Sequence, residues 1–149
     1  MTHEDYMQLS IQQAQKWFDT WNAPFWVVVV NESWILVRED HDRVKEMCDP
    51  TAHWEINAIR ALCKKIWKTK LNWYSFYTTS EPCPTCLSAC IKAQVTHIYY
   101  WANTEKTASL PIKAKELAKY SQKHPIKITW WILGKECLNQ RKRLLNIAD

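Results

Sequence analysis

Glycine is almost missing from this chain, whose 149 residues include 1 Gly and 10 Trp. Average usage of about 7% would place roughly ten glycines in a chain of this length. Trp34 ends a turn at residues 31–34, between two apolar runs, where a backbone with positive φ is expected. Only glycine takes that conformation without steric cost. We therefore predict that most of the tryptophans, up to all 10, represent UGA codons that the source organism reads as glycine. The alternative is an aromatic-rich protein.

Long apolar runs, a leader and a disulfide framework are also missing. No stretch has the length and apolarity of a transmembrane helix, and the acidic start at residues 1–5 lacks the basic and apolar regions of a signal peptide. Four of the 6 cysteines are scattered without a framework spacing: Cys48, Cys63, Cys90 and Cys137. We therefore expect a protein of the reducing cytoplasm, with no membrane partner. The net charge of +5 permits contact with nucleic acid without requiring it.

Two short motifs contain the residues that indicate chemistry. The imidazole of His53 and the thiolates of Cys83 and Cys86 form a good ligand set for Zn²⁺ and leave a fourth tetrahedral position open for water. Zinc lowers the pKa of such a water enough to give hydroxide near neutral pH. Glu55 is placed to take the proton from that water and return it to a leaving amine. No fourth Cys or His stands beside either motif, so a catalytic site is favoured over a closed structural one.

The order His-x-Glu followed by Pro-Cys-x-x-Cys resembles the cytidine deaminase-like superfamily. Residues 49–58 and 79–86 are most similar to the branch that contains guanine deaminases, cytosine deaminases and bacterial tRNA adenosine deaminases. The resemblance implies a single zinc-dependent deaminase domain over residues 1–149, which releases ammonia through attack by zinc hydroxide on the amine-bearing ring carbon. It also implies a homodimer. Further tryptophans stand where these families carry glycine or alanine: Trp26, Trp54, Trp73, Trp101, Trp130 and Trp131.

The resemblance suggests substrate contacts as well. Counting back from His53, Asp42 falls where these families have an Asn that hydrogen-bonds the base. An ionised Asp only accepts hydrogen bonds, which favours a ring N–H or an amino group facing it; alternatively, the loop is shifted and Asp42 is merely solvated. Phe25 packs either on a flat base or in the core, and Glu81 is either near the substrate or structural. The predicted substrate contacts are Asp42, Phe25, Ala52, Trp54 and Glu81.

The substrate class follows from finer similarities. Residues 23–25 and 78–84 look more like free-base deaminases of the guanine or cytosine type, whereas residues 128–133 and the basic closing helix resemble the tRNA enzymes. We expect a small nucleobase or nucleoside, with tRNA adenosine as the alternative. The basic residues at 60–70 and 141–143 are solvated faces unless they cluster beside the pocket. A non-catalytic, zinc-stabilised subunit is a third possibility, against which Glu55 argues because a structural zinc needs no proton carrier.

Apolar patterns of helical and strand period alternate along the chain, which predicts a three-layer α/β/α sandwich with a five-stranded mixed sheet. The segment 39–48 is charged and aperiodic and is predicted to be a loop. A helix start at residues 49–51 places His53 and Glu55 in a first helical turn, whose positive end stabilises anions. The predicted helices cover 4–20, 52–67, 84–93, 110–122 and 135–147, and the predicted strands 25–30, 35–38, 74–78, 95–100 and 126–132.

Overall fold

The structure is a computed structural model and describes residues 1–18, 23–102 and 110–130. The predicted closing helix at 135–147 lies outside these residues. The helices are α1 (His3–Phe18), α2 (Val44–Met47), α3 (Trp54–Ile66), α4 (Pro84–Lys92) and α5 (Ala114–Ala118), and the strands are β1 (Trp26–Val30), β2 (Leu36–His41), β3 (Ser75–Thr78), β4 (His97–Tyr100) and β5 (Lys127–Trp130).

The five strands form one mixed sheet in the order β2-β1-β3-β4-β5. Strand β1 is antiparallel to both β2 and β3, whereas β3, β4 and β5 run parallel. Parallel neighbours require crossover connections, which α4 and α5 supply. The run Val27–Val30 at the centre is fully buried, as predicted for a strand covered on both faces. The predicted five-stranded mixed sheet is confirmed.

Helices cover both faces of this sheet. Because successive side chains of a strand point to opposite faces, Val28 and Val30 enter one core and Val27 and Val29 the other. The first core is closed by α1, and the second by α3, α4 and α5. The helical side chains that fill these cores are Tyr6, Met7 and Ile11 on one face and Leu62, Leu87 and Ala114 on the other. The three-layer α/β/α architecture is therefore confirmed.

The predicted loop at 39–48 is wrong, because β2 continues to His41 and a short helix follows. Charged side chains of this edge strand form ion pairs, so the backbone can remain in the sheet. Asp40 is buried, yet its carboxylate forms ion pairs with Arg38 at 2.5 Å and with Arg43 at 3.1 Å. A buried charge is tolerated in such a position when it is paired and hydrogen-bonded.

Helix α5 is shorter than the predicted helix at 110–122. After Ala118 the chain closes through hydrogen bonds between residues three apart, from Lys119 N to Glu116 O, from Tyr120 N to Leu117 O and from Ser121 N to Ala118 O. Such tighter turns commonly terminate an α-helix. The helical pattern in the sequence continues beyond this point, which is why the prediction was too long.

For the described residues, the structure also bears on two expectations from the sequence, the absence of a transmembrane helix and of a disulfide framework. Within the ranges 1–18, 23–102 and 110–130, no helix has the length and apolarity needed to span a bilayer. All the cysteines in these ranges carry free thiols. The predicted absence of a disulfide framework therefore holds for Cys48, Cys63 and Cys90.

Candidate active site

The three predicted metal ligands meet at the beginnings of two helices. His53 was predicted to lie in the first turn of a helix that begins at residue 52, but it is the N-cap residue of α3, which begins one position later at Trp54. Cys83 is the N-cap residue of α4. The Nδ1 atom of His53 lies 3.7 Å from Cys83 Sγ and 3.4 Å from Cys86 Sγ. All three ligand atoms lie within 4.8 Å of one another. The fold therefore brings together residues that are 30 or more positions apart in the chain.

These distances fit a tetrahedral zinc ion. Zinc–nitrogen and zinc–sulfur bonds of ordinary length, at a tetrahedral angle, separate the nitrogen from each sulfur by about 3.6 Å. The distances of 3.7 and 3.4 Å from Nδ1 to the two sulfurs agree with this value. One imidazole nitrogen and two sulfurs are also the donor types that zinc prefers. The imidazole nitrogen therefore lies at distances from both sulfurs that suit a shared zinc ion.

The two thiols already differ in proton affinity. A hydrogen bond with the Cys86 thiol, joined by others from His53 and the Cys86 amide, lowers the pKa of Cys83 to about 4. The same thiol–thiol hydrogen bond and burial raise the pKa of Cys86. The hydrogen bond with Cys83 in turn raises the pKa of His53. The group thus favours a thiolate at Cys83, and a bound metal would replace the remaining protons.

Glu55 lies in the first turn of α3 and is completely buried. Within the described part of the chain, neither of its carboxylate oxygens forms a hydrogen bond of ordinary geometry, although the carboxyl and the Cys86 thiol are close enough to influence each other's pKa. Burial raises its pKa to about 8. Its charge raises the pKa of both His53 and Cys86, so it lies within electrostatic reach of the ligand group. Buried carboxyl groups are normally hydrogen-bonded, and an orphan of this kind indicates a ligand or a catalytic role.

Asp42 lies at the end of β2, beside the ligand group. Its amide donates a hydrogen bond to Phe25 O at 3.2 Å, and its Oδ1 accepts one from Val44 N at 3.3 Å. The side chain is half-buried, and its charge contributes to the raised pKa of His53. Backbone hydrogen bonds therefore fix the position of Asp42 directly after β2. Its contact with a substrate remains a prediction.

Phe25 and Trp54 form an aromatic stack against the ligand group. Their ring centroids are 4.6 Å apart with an angle of 17° between the planes. The indole of Trp54 is also nearly parallel to the His53 ring, at 5.3 Å and 2°. Trp54 is only 5% exposed, and Phe25 packs against the same core. The indole of Trp54 thus stacks against one face of each of these rings.

The remaining two candidates have structural contacts. Glu81 is buried, and its Oε1 accepts a hydrogen bond from Ala114 N at 2.7 Å, which anchors the start of α5. This contact supports the structural interpretation of its side chain. Ala52 is fully buried, and its carbonyl accepts a hydrogen bond from Arg43 N at 3.0 Å. A role of either residue in substrate binding remains a prediction.

Asn57 is a residue of this site that the sequence analysis did not single out. Its side-chain amide donates to His41 O and to Ala52 O, both at 2.9 Å. It therefore ties the end of β2, next to Asp42, to the residue that precedes His53. A buried Asn inside a helix has to satisfy its polar side chain locally or across to another segment. The sequence signal that could have identified Asn57 is its position two residues after Glu55, on the buried side of the helix.

Comparison with known proteins also points to a deaminase. The profile of the MafB19-like deaminases matches residues 1–131. The tRNA-specific adenosine deaminase of Haemophilus influenzae is 27% identical over 134 residues, which cover 90% of this chain and 78% of the relative. The tRNA-specific adenosine deaminase of Rickettsia typhi is 31% identical over 107 residues, 70% of this chain and 71% of the relative. The guanine deaminase of Bacillus subtilis is 34% identical over 103 residues, 68% of this chain and 65% of the relative.

Solved structures of deaminases share the fold. A guanine deaminase from Nitrosomonas europaea superposes with a TM-score of 0.81 at 18% identity, covering 98% of this chain and 86% of the other. A tRNA:A34 deaminase gives 0.75 at 24% identity, over 86% of this chain and 98% of the other. The Bacillus subtilis guanine deaminase gives 0.67 at 27% identity, over 100% and 97%. With its cytidine deaminase-like fold and a family profile matched over residues 1–131, the chain belongs to the MafB19-like deaminase family.

Proposed function

We propose that the chain is a zinc-dependent hydrolytic deaminase of a nucleobase or nucleoside, folded as one domain over residues 1–149. The observation that carries the proposal is the buried, unpartnered carboxyl of Glu55 beside the group of His53, Cys83 and Cys86. Burying a carboxyl without a hydrogen bond costs free energy, and a metal site that only stabilises the fold gains nothing from it. This supports a catalytic protein over a zinc-stabilised subunit without activity.

In this proposal His53 Nδ1 and the thiolates of Cys83 and Cys86 hold the zinc. A zinc ion with three protein ligands keeps one position for water and lowers the pKa of that water to near neutrality. The thiols stand at the start of α4, where the positive end of the helix favours their ionised form. The protein thus supplies an anionic ligand set and an open coordination position.

Glu55 moves the proton in the proposed reaction. It takes a proton from the attacking water and delivers it to the amine, so that the carbon–nitrogen bond breaks, ammonia leaves and a carbonyl oxygen remains on the ring. Glu55 ends in its initial protonation state. Its complete burial excludes bulk water from the transfer. Phe25 would supply an aromatic surface for the base if the Trp54 indole did not cover it. Asp42 accepts hydrogen bonds from ring N–H or amino groups in this proposal.

The placement of the basic residues supports a small substrate. Exposed lysines at 64, 65, 68 and 70 lie at the C-terminal end of α3, whereas His53 lies before its first residue. A helix of 13 residues separates these ends by about 20 Å. The four lysines are therefore far from His53, whereas Arg60, in the middle of the helix, pairs with Asp49 at 3.6 Å. The basic segment 141–143 lies outside the described residues.

A tRNA adenosine substrate is the second candidate. It is favoured by the similarity to the Haemophilus influenzae and Rickettsia typhi enzymes, which are tRNA-specific adenosine deaminases. By the same family resemblance we propose a homodimer, and from the scattered cysteines a location in the reducing cytoplasm. Sedimentation velocity of the zinc-loaded protein tests the dimer, and a monomer at micromolar concentration would contradict it.

The test of function is ammonia release by zinc-loaded protein from guanine, cytosine, adenosine and a tRNA hairpin with adenosine in its anticodon. Both the chain with tryptophan and a version with glycine at the 10 tryptophan positions are assayed, with Glu55→Gln as the matched inactive control. Turnover of a free base or nucleoside supports the first proposal, and turnover of the hairpin alone supports the second. Folded, zinc-loaded protein that is silent on all four substrates would refute a catalytic role.

A further inference from the structure

We propose that positions 34, 54, 67 and 73 carry glycine in the protein as the source organism makes it, and that glycine at position 54 opens the site to a flat base. The first part is independent of the proposed deaminase activity. The second part rests on it. The argument uses the backbone angles at three positions and the packing at the fourth.

Tryptophan is concentrated where the backbone is left-handed. In the described ranges, five non-glycine residues have positive φ, and three of them are Trp34 at 56°, Trp67 at 56° and Trp73 at 74°. For a bulky residue this region is a genuine outlier, whereas glycine adopts it freely. The positive φ that the turn at 31–34 predicts for Trp34 is confirmed.

The local hydrogen bonds are those of ordinary glycine positions. Trp67 ends α3, and its amide donates to Cys63 O; a left-handed residue at this place is usually glycine. Trp34 N closes a turn by donating to Asn31 O at 3.0 Å. Trp73 N donates to Thr96 Oγ1 at 2.7 Å. These contacts use only the backbone of the three residues, so glycine would keep all of them.

Packing explains the conformation least at Trp67, whose side chain is 88% exposed and gains little from burial. Trp73 is 67% exposed and Trp34 48%, and the Trp34 ring contacts the His3 ring edge-on at 4.8 Å. The shared feature of the three residues is therefore the backbone conformation of a turn or a helix end, not a common packing environment.

At position 54 tryptophan also fits its surroundings poorly, but here the side chain is buried and the mismatch lies in its indole. The Trp54 indole lies flat against Phe25 and His53, and its Nε1 is buried without a hydrogen-bond partner among the described residues. A buried indole N–H normally finds a partner. Glycine here would remove the orphan donor and uncover the faces of both neighbouring rings, on which a flat base can stack.

One cause accounts for all four positions. A chain with 1 Gly and 10 Trp, in which tryptophan holds backbone conformations suited to glycine, is expected if UGA codons encode glycine. An aromatic-rich protein would not place its tryptophans selectively in left-handed turns. We therefore infer the same exchange at position 54, where the backbone alone would not reveal it.

Peptide masses of the protein isolated from its source organism test the first part. We expect the residue mass of glycine at positions 34, 54, 67 and 73. Tryptophan at 34, 67 and 73 would overturn the codon explanation, and tryptophan at 54 would overturn its extension to the site. Protein made in a host that reads UGA differently is not used for this measurement.

Equilibrium dialysis with guanine and with adenosine tests the second part. Zinc-loaded protein with the single change Trp54→Gly is compared with the parent and with Trp73→Gly, which makes the same exchange in an exposed turn. We expect at least about tenfold tighter binding of one of the two ligands by Trp54→Gly, and unchanged affinity for Trp73→Gly. Equal affinity of parent and Trp54→Gly, at equal zinc content, would overturn the access proposal. Tighter binding without ammonia release supports access and contradicts the deaminase function, so the two failures are distinguishable.

Discussion

At the end of helix α3, glycine is predicted to stabilise the protein more than alanine, which reverses the usual order of these residues in a helix. Trp67 has φ 56° and ψ 39° and is 88% exposed. The changes Trp67→Gly and Trp67→Ala remove the same indole and differ only in the Cβ atom. In the left-handed region a Cβ costs about 1–2 kcal/mol, whereas glycine gains about 0.4–1 kcal/mol more disorder in the unfolded chain. The glycine variant should therefore be more stable than the alanine variant by about 1 kcal/mol.

Thermal unfolding of the zinc-loaded proteins measures this difference. For a chain of about 150 residues, 1 kcal/mol corresponds to about 2–4 °C in Tm. Lys65, exposed within the same helix, provides the matched control. There the order should reverse, with Lys65→Gly less stable than Lys65→Ala by about 1 kcal/mol. An alanine variant at position 67 as stable as the glycine variant would refute the assignment of backbone strain.

The other predictions concern the site and the pH dependence. Glu55→Gln should retain zinc and lower kcat by about 10²–10⁴; an unchanged kcat would remove Glu55 from the mechanism. Cys83→Ala should lose zinc, measured by atomic absorption, and lower Tm, whereas Cys48→Ala at an exposed thiol should do neither. Asp42→Asn should change the ratio of kcat/KM for guanine and adenosine, because the amide can also donate; an unchanged ratio would dismiss Asp42. Burial lowers the pKa of His97 from its ordinary 6.5 to about 4, so its contribution to stability is present above pH 6.5 and is lost as the pH falls toward 4. Urea unfolding should therefore show a smaller loss of stability over this pH interval for His97→Gln than for the parent protein, and equal losses would contradict the assignment.

Local features of this fold could be predicted from the sequence because they depend on short-range rules. The apolar run at 25–30 predicted a strand, and the turn at 31–34 predicted positive φ at Trp34. The spacing of Cys83 and Cys86 places both thiols at the start of one helix. Residues within one helical turn or one tight turn have a geometry that the chain itself imposes.

Interactions across the fold could not be predicted in this way. The charges of Asp40 and its neighbours resembled a loop, and only the ion pairs with Arg38 and Arg43 explain why β2 extends to His41. The link from Asn57 to two backbone carbonyls joins segments that are adjacent only after folding. Such contacts have no local period or turn signal, so sequence patterns cannot reveal them.

The candidate site combines both kinds of information. The sequence by itself determined the donor types, one imidazole and two thiols, together with a carboxylate two residues after the imidazole, because these are properties of short motifs. The tertiary structure alone decided that His53 lies within 3.7 Å of both sulfurs and that Glu55 is completely buried without a partner. Distance and burial arise from the packing of α3 and α4 against one face of the sheet. Composition and spacing contain no measure of either.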